Sequence, residues 1–341
     1  MKKKSLALVA LGGALVMALA GCGTTQAPTA SDASASTSAG CDDDTTAIST
    51  GAVSITDDLG RTVELDKPAE RIAVLEWQQI EDALSLCVTP VAVADAEGYS
   101  TWVTAEELPE GVTDVGTRQE PNLETLFGTE PDLVIVEVSA ADDPIVSQLE
   151  AYDVPVLATV GADAADPIAK MLGTLDLIAQ VTGREERAEV VADEFQEHLD
   201  AASAELADLD LHTKEFVFFD GWVDGGNVAL RPFGQGSLVG EIGEKLGLTN
   251  AWTGEGDPAY GLGQTDVEGM TTVGDASLFY TGTEDPESES FIDALQDNPA
   301  WTSLPAVAEG RLTAFPAGIW TFGGPRSTQQ IIDGYLEVLS K

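Results

Sequence analysis

The stretch DVGTRQEPNLETLFGTEPDLVIV, residues 114–136, decides the fold class. Arg118 lies in a glycine-containing loop, a helix start follows, and then a strand. Asn122 predicts the N-cap, because its side-chain oxygen can accept from a free amide of the first turn. Glu124 stands two positions into that helix, where the positive end of the dipole favours a carboxylate. Pro131 stops the helix. Residues 133–136, Leu-Val-Ile-Val, read as a strand apolar on both faces, as in a parallel sheet covered by helices. One short unit thus presents a cation and an anion from neighbouring loop and helix-start positions.

The second half repeats the device. Residues 266–280 read DVEGMTTVGDASLFY. Asp266 again predicts an N-cap and Glu268 again sits two positions on. The strand-like run 277–280 follows at the offset that separates Glu124 from residue 133. The helix dipole accounts for either glutamate alone. Two at matched offsets in two halves point to a shared role.

The chain around these units has α/β order. Residues 53–65 alternate about Asp58-Leu59-Gly60, which predicts a hairpin. Strands are expected at 71–77, 91–94 and 154–159 beside 133–136, with a helix over 78–87. Ile168, Met171, Leu172, Leu175, Ile178 and Val181 keep a helical period. Gly183 breaks it, and Ala188, Val191, Phe195, Leu199, Ala202 and Leu206 resume it. The first of these helices, about 16 residues, would span roughly 24 Å and could carry the chain from one lobe to another. Strands return at 215–222, 227–230, 278–280 and 312–315, with helices at 238–246 and 327–339.

The N-terminus sets the compartment. Lys2, Lys3 and Lys4 precede an apolar run, 6–20, that is short for a membrane span. It ends in Leu19-Ala20-Gly21-Cys22, the pattern of a bacterial lipoprotein signal. Cleavage before Cys22 would expose that thiol for lipid attachment and hold a soluble domain on the outer face of the cytoplasmic membrane. The expected organisation is a signal over 1–21, a disordered Ser/Thr/Ala/Gly-rich tether over 22–51, an α/β lobe over 52–163, a linking helical region over 164–212 and a second α/β lobe over 213–341. Cys41 lies in the tether and Cys87 in an apolar stretch. Export permits them to pair, but Cys87 is expected to be a buried free thiol. Three cysteines without CxxC spacing argue against a zinc or redox site.

The formal charge is −43, from 59 acidic and 16 basic residues. Such a surface repels nucleic acid and anionic headgroups, so no nucleic-acid partner is expected. It also makes cations informative. Arg118, Arg231 and Arg326 each stand in a Gly- or Pro-containing loop context and are candidates for a site.

Four segments carry a family resemblance: RIAVLEWQQIEDALSLCVTPVAVADAEGYSTWV (71–103), the 114–136 stretch, PFGQGSLVGEIGEKLGLTNAW (232–252) and FPAGIWTFGGPRS (315–327). With them the chain, over about residues 53–339, resembles the helix-linked substrate-binding proteins of ABC importers that serve siderophores, haem and cobalamin. The segment 71–103 is most similar to ferric-hydroxamate receptors, with ferric-citrate receptors close behind. The resemblance implies two Rossmann-like α/β lobes with a ligand cleft between them, joined by a long backbone helix. It implies that Arg118 hydrogen-bonds the iron-ligating oxygens of a ferric siderophore. Trp77, Trp102, Tyr260 and Trp320 would line the cleft, and Glu124 and Glu268 would dock onto arginines of the permease dimer. No cofactor and no protein metal ligand are implied, because the siderophore satisfies its own iron. Two departures stand out. The loop after 133–136, Glu137-Val138-Ser139-Ala140-Ala141-Asp142-Asp143, lacks the aromatic of hydroxamate receptors, which implies an altered cleft wall. Arg326 adds a cation that would suit a carboxylate-bearing siderophore.

An enzyme is the main rival reading, and an adhesive surface module another. No GxSxG elbow, P-loop, HExxH or dinucleotide fingerprint is present. His198 and His212 are the two histidines, and neither has a metal-ligand or triad neighbour in sequence. A zinc or manganese receptor would want several histidines in separate segments.

Overall fold

A computed structural model describes residues 41–140, 142–281 and 290–341. The signal and Cys22 lie outside the described residues. No helix among the described residues is long and apolar enough to cross a membrane.

A hairpin opens the first lobe. Strand β1 (Val53–Thr56) pairs antiparallel with β2 (Thr62–Leu65). The lobe's sheet comprises β3 (Ile72–Val74), β4 (Ala92–Val93), β5 (Thr113–Asp114), β6 (Leu133–Glu137) and β7 (Val156–Thr159). All neighbours run parallel, in the order β5-β4-β3-β6-β7. Successive side chains enter opposite cores. Ile72, Val74, Leu133 and Ile135 join one cluster, while Ala73, Val134 and Val136 join the other. That two-residue alternation with both faces apolar is what the 133–136 run predicted. The strand expected over 71–77 ends early, because Glu76 caps a helix, Trp77–Ser85.

The second lobe repeats the plan. Its strands are β8 (Glu215–Asp224), β9 (Asn227–Pro232), β10 (Thr249–Asn250), β11 (Ser277–Tyr280) and β12 (Leu312–Ala314). The order β10-β8-β11-β12 is parallel, and β9 folds back antiparallel on the second half of β8. Phe216 and Phe218 point to one core, Val217 and Phe219 to the other.

Two helices join the lobes, with the break at Gly183 that the sequence pattern predicted. Pro167–Thr182 and Glu185–Ala207 meet at Gly183, whose φ of 70° gives the left-handed turn that stops the first. Each helix straddles both cores. Met171 packs in the second lobe and Leu175, Ile178 and Val181 in the first. On the next helix, Ala188 and Val191 pack in the first lobe and Phe195, Leu199, Ala202 and Leu206 in the second. The lobes therefore share apolar contacts along both helices.

The end of the expected tether does not lie loose. Cys41 forms a disulfide with Cys87, which corrects the reading of Cys87 as a free thiol. The Cys87 backbone has a positive φ of 62° just past the helix Trp77–Ser85. Ser49 donates its amide to the Gly183 carbonyl at 2.9 Å, and Arg184 pairs with Asp44. Residues 41–49 thus strap the chain to the first lobe and to the turn between the linking helices.

Candidate functional site

The cleft side is set by strand direction. In a parallel sheet the loops that follow the strands gather at the carboxyl edge, where open α/β sheets bind ligands. Glu76 follows β3, Asp95 follows β4, Arg118 follows β5, Glu137 ends β6 and Gly161 follows β7. Across from them stand Arg231 on β9, Tyr260 and Leu262 after β10, and Trp320 and Phe322 after β12. All of these but Asp95, together with Gln78, line a cavity of about 240 Å³.

Arg118 lines the cavity and is held there by stacking and an ion pair. Its guanidinium lies over the Trp77 ring at 3.8 Å from the centroid and within 5.8 Å of Trp320. Such stacking adds about 0.5–2 kcal/mol and fixes the plane of the guanidinium. Trp77 and Trp320 meet edge to face at 4.8 Å. Glu76 accepts from Arg118 at 2.6 Å, and Asp95 stands 3.9 Å away. Trp77 is buried and is fixed by its indole N–H donating to the Asp95 carbonyl at 3.2 Å. Two donors at the cavity have no partner among the described residues: Gln78 Nε2 and Trp320 Nε1.

Glu137 and Tyr260 bridge the lobes. The Tyr260 hydroxyl donates to Glu137 Oε1 at 2.9 Å, and Gln79 Nε2 donates to Oε2 at 3.3 Å. Gly161 makes this possible, since a Cβ there would lie 2.1 Å from the Tyr260 hydroxyl and 2.4 Å from the Glu137 oxygen. Burial, and then the charge of Glu76, push the Glu137 carboxyl up to about 7. Burial beside Glu137 likewise raises Tyr260, which stays protonated.

The remaining expected residues divide. Arg231 lines the cavity, but its guanidinium is already bound to Asp220 by two hydrogen bonds, one of 2.9 Å. Trp102 is not brought to the cavity; it ends the helix Ala96–Trp102 and packs against the first lobe's core. Arg326 is not there either. It starts the helix Pro325–Leu339, where Glu194 and Gln329 take its guanidinium, so it is no extra cleft cation. Glu124 and Glu268 occupy the first turns of Leu123–Gly128 and Val267–Met270. Asn122 and Asp266 cap those helices through their side chains, as the sequence predicted. Both glutamates are exposed, and neither carboxylate has a partner among the described residues. Sequence reasoning missed Glu76, Gln78, Glu137 and Phe322. The signal for Glu137 was the absence of an aromatic after β6.

A second inter-lobe contact lies below the cavity. Glu81, fully buried on the helix Trp77–Ser85, accepts from the Ser327 amide at 2.8 Å and from its hydroxyl at 2.5 Å. It caps the N-terminus of Pro325–Leu339 from the opposite lobe. Gly323 and Gly324 allow the approach, for a Cβ on either would meet the Glu81 or Asp82 carboxylate within 2.7 Å. Burial pushes Glu81 up to about 7 and Asp82 well above the usual carboxylate range.

Comparison with known proteins agrees with this architecture. The profile of the periplasmic binding protein family matches residues 72–317. The iron(3+)-hydroxamate-binding protein FhuD of Escherichia coli strain K12 is 26% identical over 262 residues, covering 77% of this chain and 84% of that protein. The Fe(3+)-citrate-binding protein YfmC of Bacillus subtilis strain 168 is 26% identical over 276 residues, covering 81% and 82%. The crystal structure of Fe3+–Desferal-bound siderophore-binding protein FhuD from Vibrio cholerae superposes with a TM-score of 0.67 at 22% identity, covering 79% of this chain and 97% of that one.

Proposed function

The chain belongs to the periplasmic binding protein family, and from that premise we propose that it captures a ferric siderophore of the hydroxamate type and delivers it to an ABC permease for iron uptake. The observation that carries this reading is the stacked Arg118 at the inter-lobe cavity, with unspent donors on Gln78 and Trp320. A ferric siderophore has its iron saturated by oxygen ligands. Its receptor needs aromatic faces for the apolar rim and a few donors for the metal-bound oxygens, not metal ligands of its own. Among the described residues the cavity lining holds no histidine and no cysteine. Ferric citrate is the second reading, favoured by the similarity to YfmC.

The same proposal gives Glu124 and Glu268 the docking role. Each is an exposed carboxylate at a helix start, one per lobe, without a partner among the described residues and suited to arginines of a permease dimer. Cys22 would carry the lipid that keeps the protein on the outer face of the cytoplasmic membrane. The test of ligand class is quenching of tryptophan fluorescence on titration with ferric hydroxamates, ferric citrate, ferric catecholates, haem and cobalamin. The reading requires saturable quenching by the hydroxamates at the lowest concentrations. Stronger binding of citrate would favour the second reading, and binding of none would overturn both.

A further inference from the structure

The charges around the cleft do not cancel. Arg118 is met by Glu76, and Arg231 by Asp220. Glu137 has no cation within ion-pair distance among the described residues. Lys170 on the helix Pro167–Thr182, whose charge acts on Glu137 from a distance, is engaged by Asp58 at 2.8 Å and Thr174 at 2.7 Å. Around Glu137 stand Glu76 after β3, Gln79 on the helix Trp77–Ser85 and Tyr260 from the second lobe, with Asp257 beside it. Arg118 and Arg231 share the cavity. Each Glu137 oxygen accepts one hydrogen bond and keeps a free lone pair.

We propose that Glu137 determines ligand charge: it receives a protonated amine arm of a ferric hydroxamate whose chelate centre lies at Arg118. This rests on the function proposed above and narrows it. Three hydroxamates balance ferric iron, so a tris-hydroxamate core is neutral and one ammonium makes the complex a monocation. The cleft's unbalanced carboxylate matches that charge. Tyr260 holds the carboxylate from the facing lobe, so an ammonium placed there meets a fixed acceptor, and charge-assisted hydrogen bonds of this kind are about twice as strong as neutral ones. The raised titration of Glu137 supplies a signature. An ammonium would draw its pKa down from about 7. Below that pH, binding must release the carboxyl proton. Affinity for the amine-bearing complex therefore climbs as pH rises towards 7 and levels off above it.

The experiment compares the ferric complex of a linear tris-hydroxamate ending in a primary amine with the same complex acetylated at that amine. Affinities are measured for the full chain and for Glu137→Gln at pH 5.5 to 8 in physiological salt. Expected for the natural protein at pH 8 is a preference of about tenfold for the amine form, shrinking at pH 5.5, with little pH dependence for the acetylated form. In Glu137→Gln, with the melting temperature checked, the preference falls to about one and loses its pH dependence. Equal affinities in the natural protein, or a preference that survives in Glu137→Gln, overturn the role of Glu137 while leaving the hydroxamate reading intact. Failure to bind either complex overturns that reading itself.

Discussion

Replacing Glu81 by Gln isolates the buried contact between the lobes. Gln keeps the size of the side chain and an oxygen for the Ser327 amide, but it cannot ionise. The Glu81 carboxyl is raised from 4.5 to about 7, chiefly by burial. A raised folded-state value means that the neutral form is favoured by folding. The stability it contributes is complete below the unfolded value and is lost as pH climbs through the folded one. For a shift from 4.5 to about 7 the loss between pH 5 and pH 8 is on the order of 2–3 kcal/mol. Asp82, raised first by burial and then by the charge of Glu81, adds to it in the same direction. Urea unfolding followed by tryptophan fluorescence and circular dichroism at pH 5, 6, 7 and 8 gives both stability curves. Titrations common to the two proteins cancel in the difference. The natural protein should lose on the order of 2–3 kcal/mol relative to Glu81→Gln across that interval. A difference that is flat, or that grows in favour of the natural protein as pH rises, would refute the reasoning.

Arg118→Ala should weaken binding of the ferric ligand by about 1.5–3 kcal/mol, the scale of a hydrogen bond to a charged group, with the fold retained; unchanged affinity would remove Arg118 from the site. Cys87→Ser opens a covalent loop closed across 46 positions, and denaturant unfolding should show a loss of about 2–4 kcal/mol. No loss would mean that the strap formed by residues 41–49 holds without the bond. Replacing Glu124 and Glu268 together by Ala should leave ligand affinity unchanged and strongly reduce iron uptake, with single variants between. A role confined to the helix dipole predicts instead a stability loss of about 0.3–1 kcal/mol per site and normal uptake. Cys22→Ala should release the protein from the membrane fraction, and lipid still incorporated into that variant would defeat the anchoring proposal.

The fold was legible because its signals are local. The apolar run after Pro131 announced a strand buried on both sides, Asn122 and Asp266 announced helix starts, and Gly183 announced the break between the linking helices. Arg118 at the cavity stood out for the opposite reason, as a rare cation in an acidic chain, and its expected role came from the family resemblance. The rest of the site depends on partners far apart in sequence. Tyr260 meets Glu137 across 123 positions, and Glu194 takes Arg326 across 132. With 59 acidic residues, no single carboxylate stood out as a partner for any of the arginines. The Cys41–Cys87 bond has no spacing signature. Trp77 read as the end of a strand because the Glu76 cap that turns it into a helix start acts through its own side chain on the next amide.

Under the proposed function, the arginines bear on how an acidic chain would hold an iron complex without favouring a polyanion. Three were candidates for the cleft. Arg326 drops out, bound to Glu194 on a linking helix. Arg118 and Arg231 remain, but Glu76 and Asp220 already balance them. Beyond the cleft, the field of a chain with a formal charge of −43 opposes the approach of an anionic complex until screening cuts it off at about 8 Å in physiological salt. A ferric catecholate or citrate would thus be resisted on approach and would find no uncompensated cation among the described residues that line the cavity. A neutral tris-hydroxamate meets neither penalty. Its oxygens can take hydrogen bonds from Arg118 without disturbing the Arg118–Glu76 pair, because a guanidinium has five N–H donors and Glu76 accepts from one of them. The pairing that limits Arg118 as a charge leaves it free as a donor, and that distinction favours a neutral chelate.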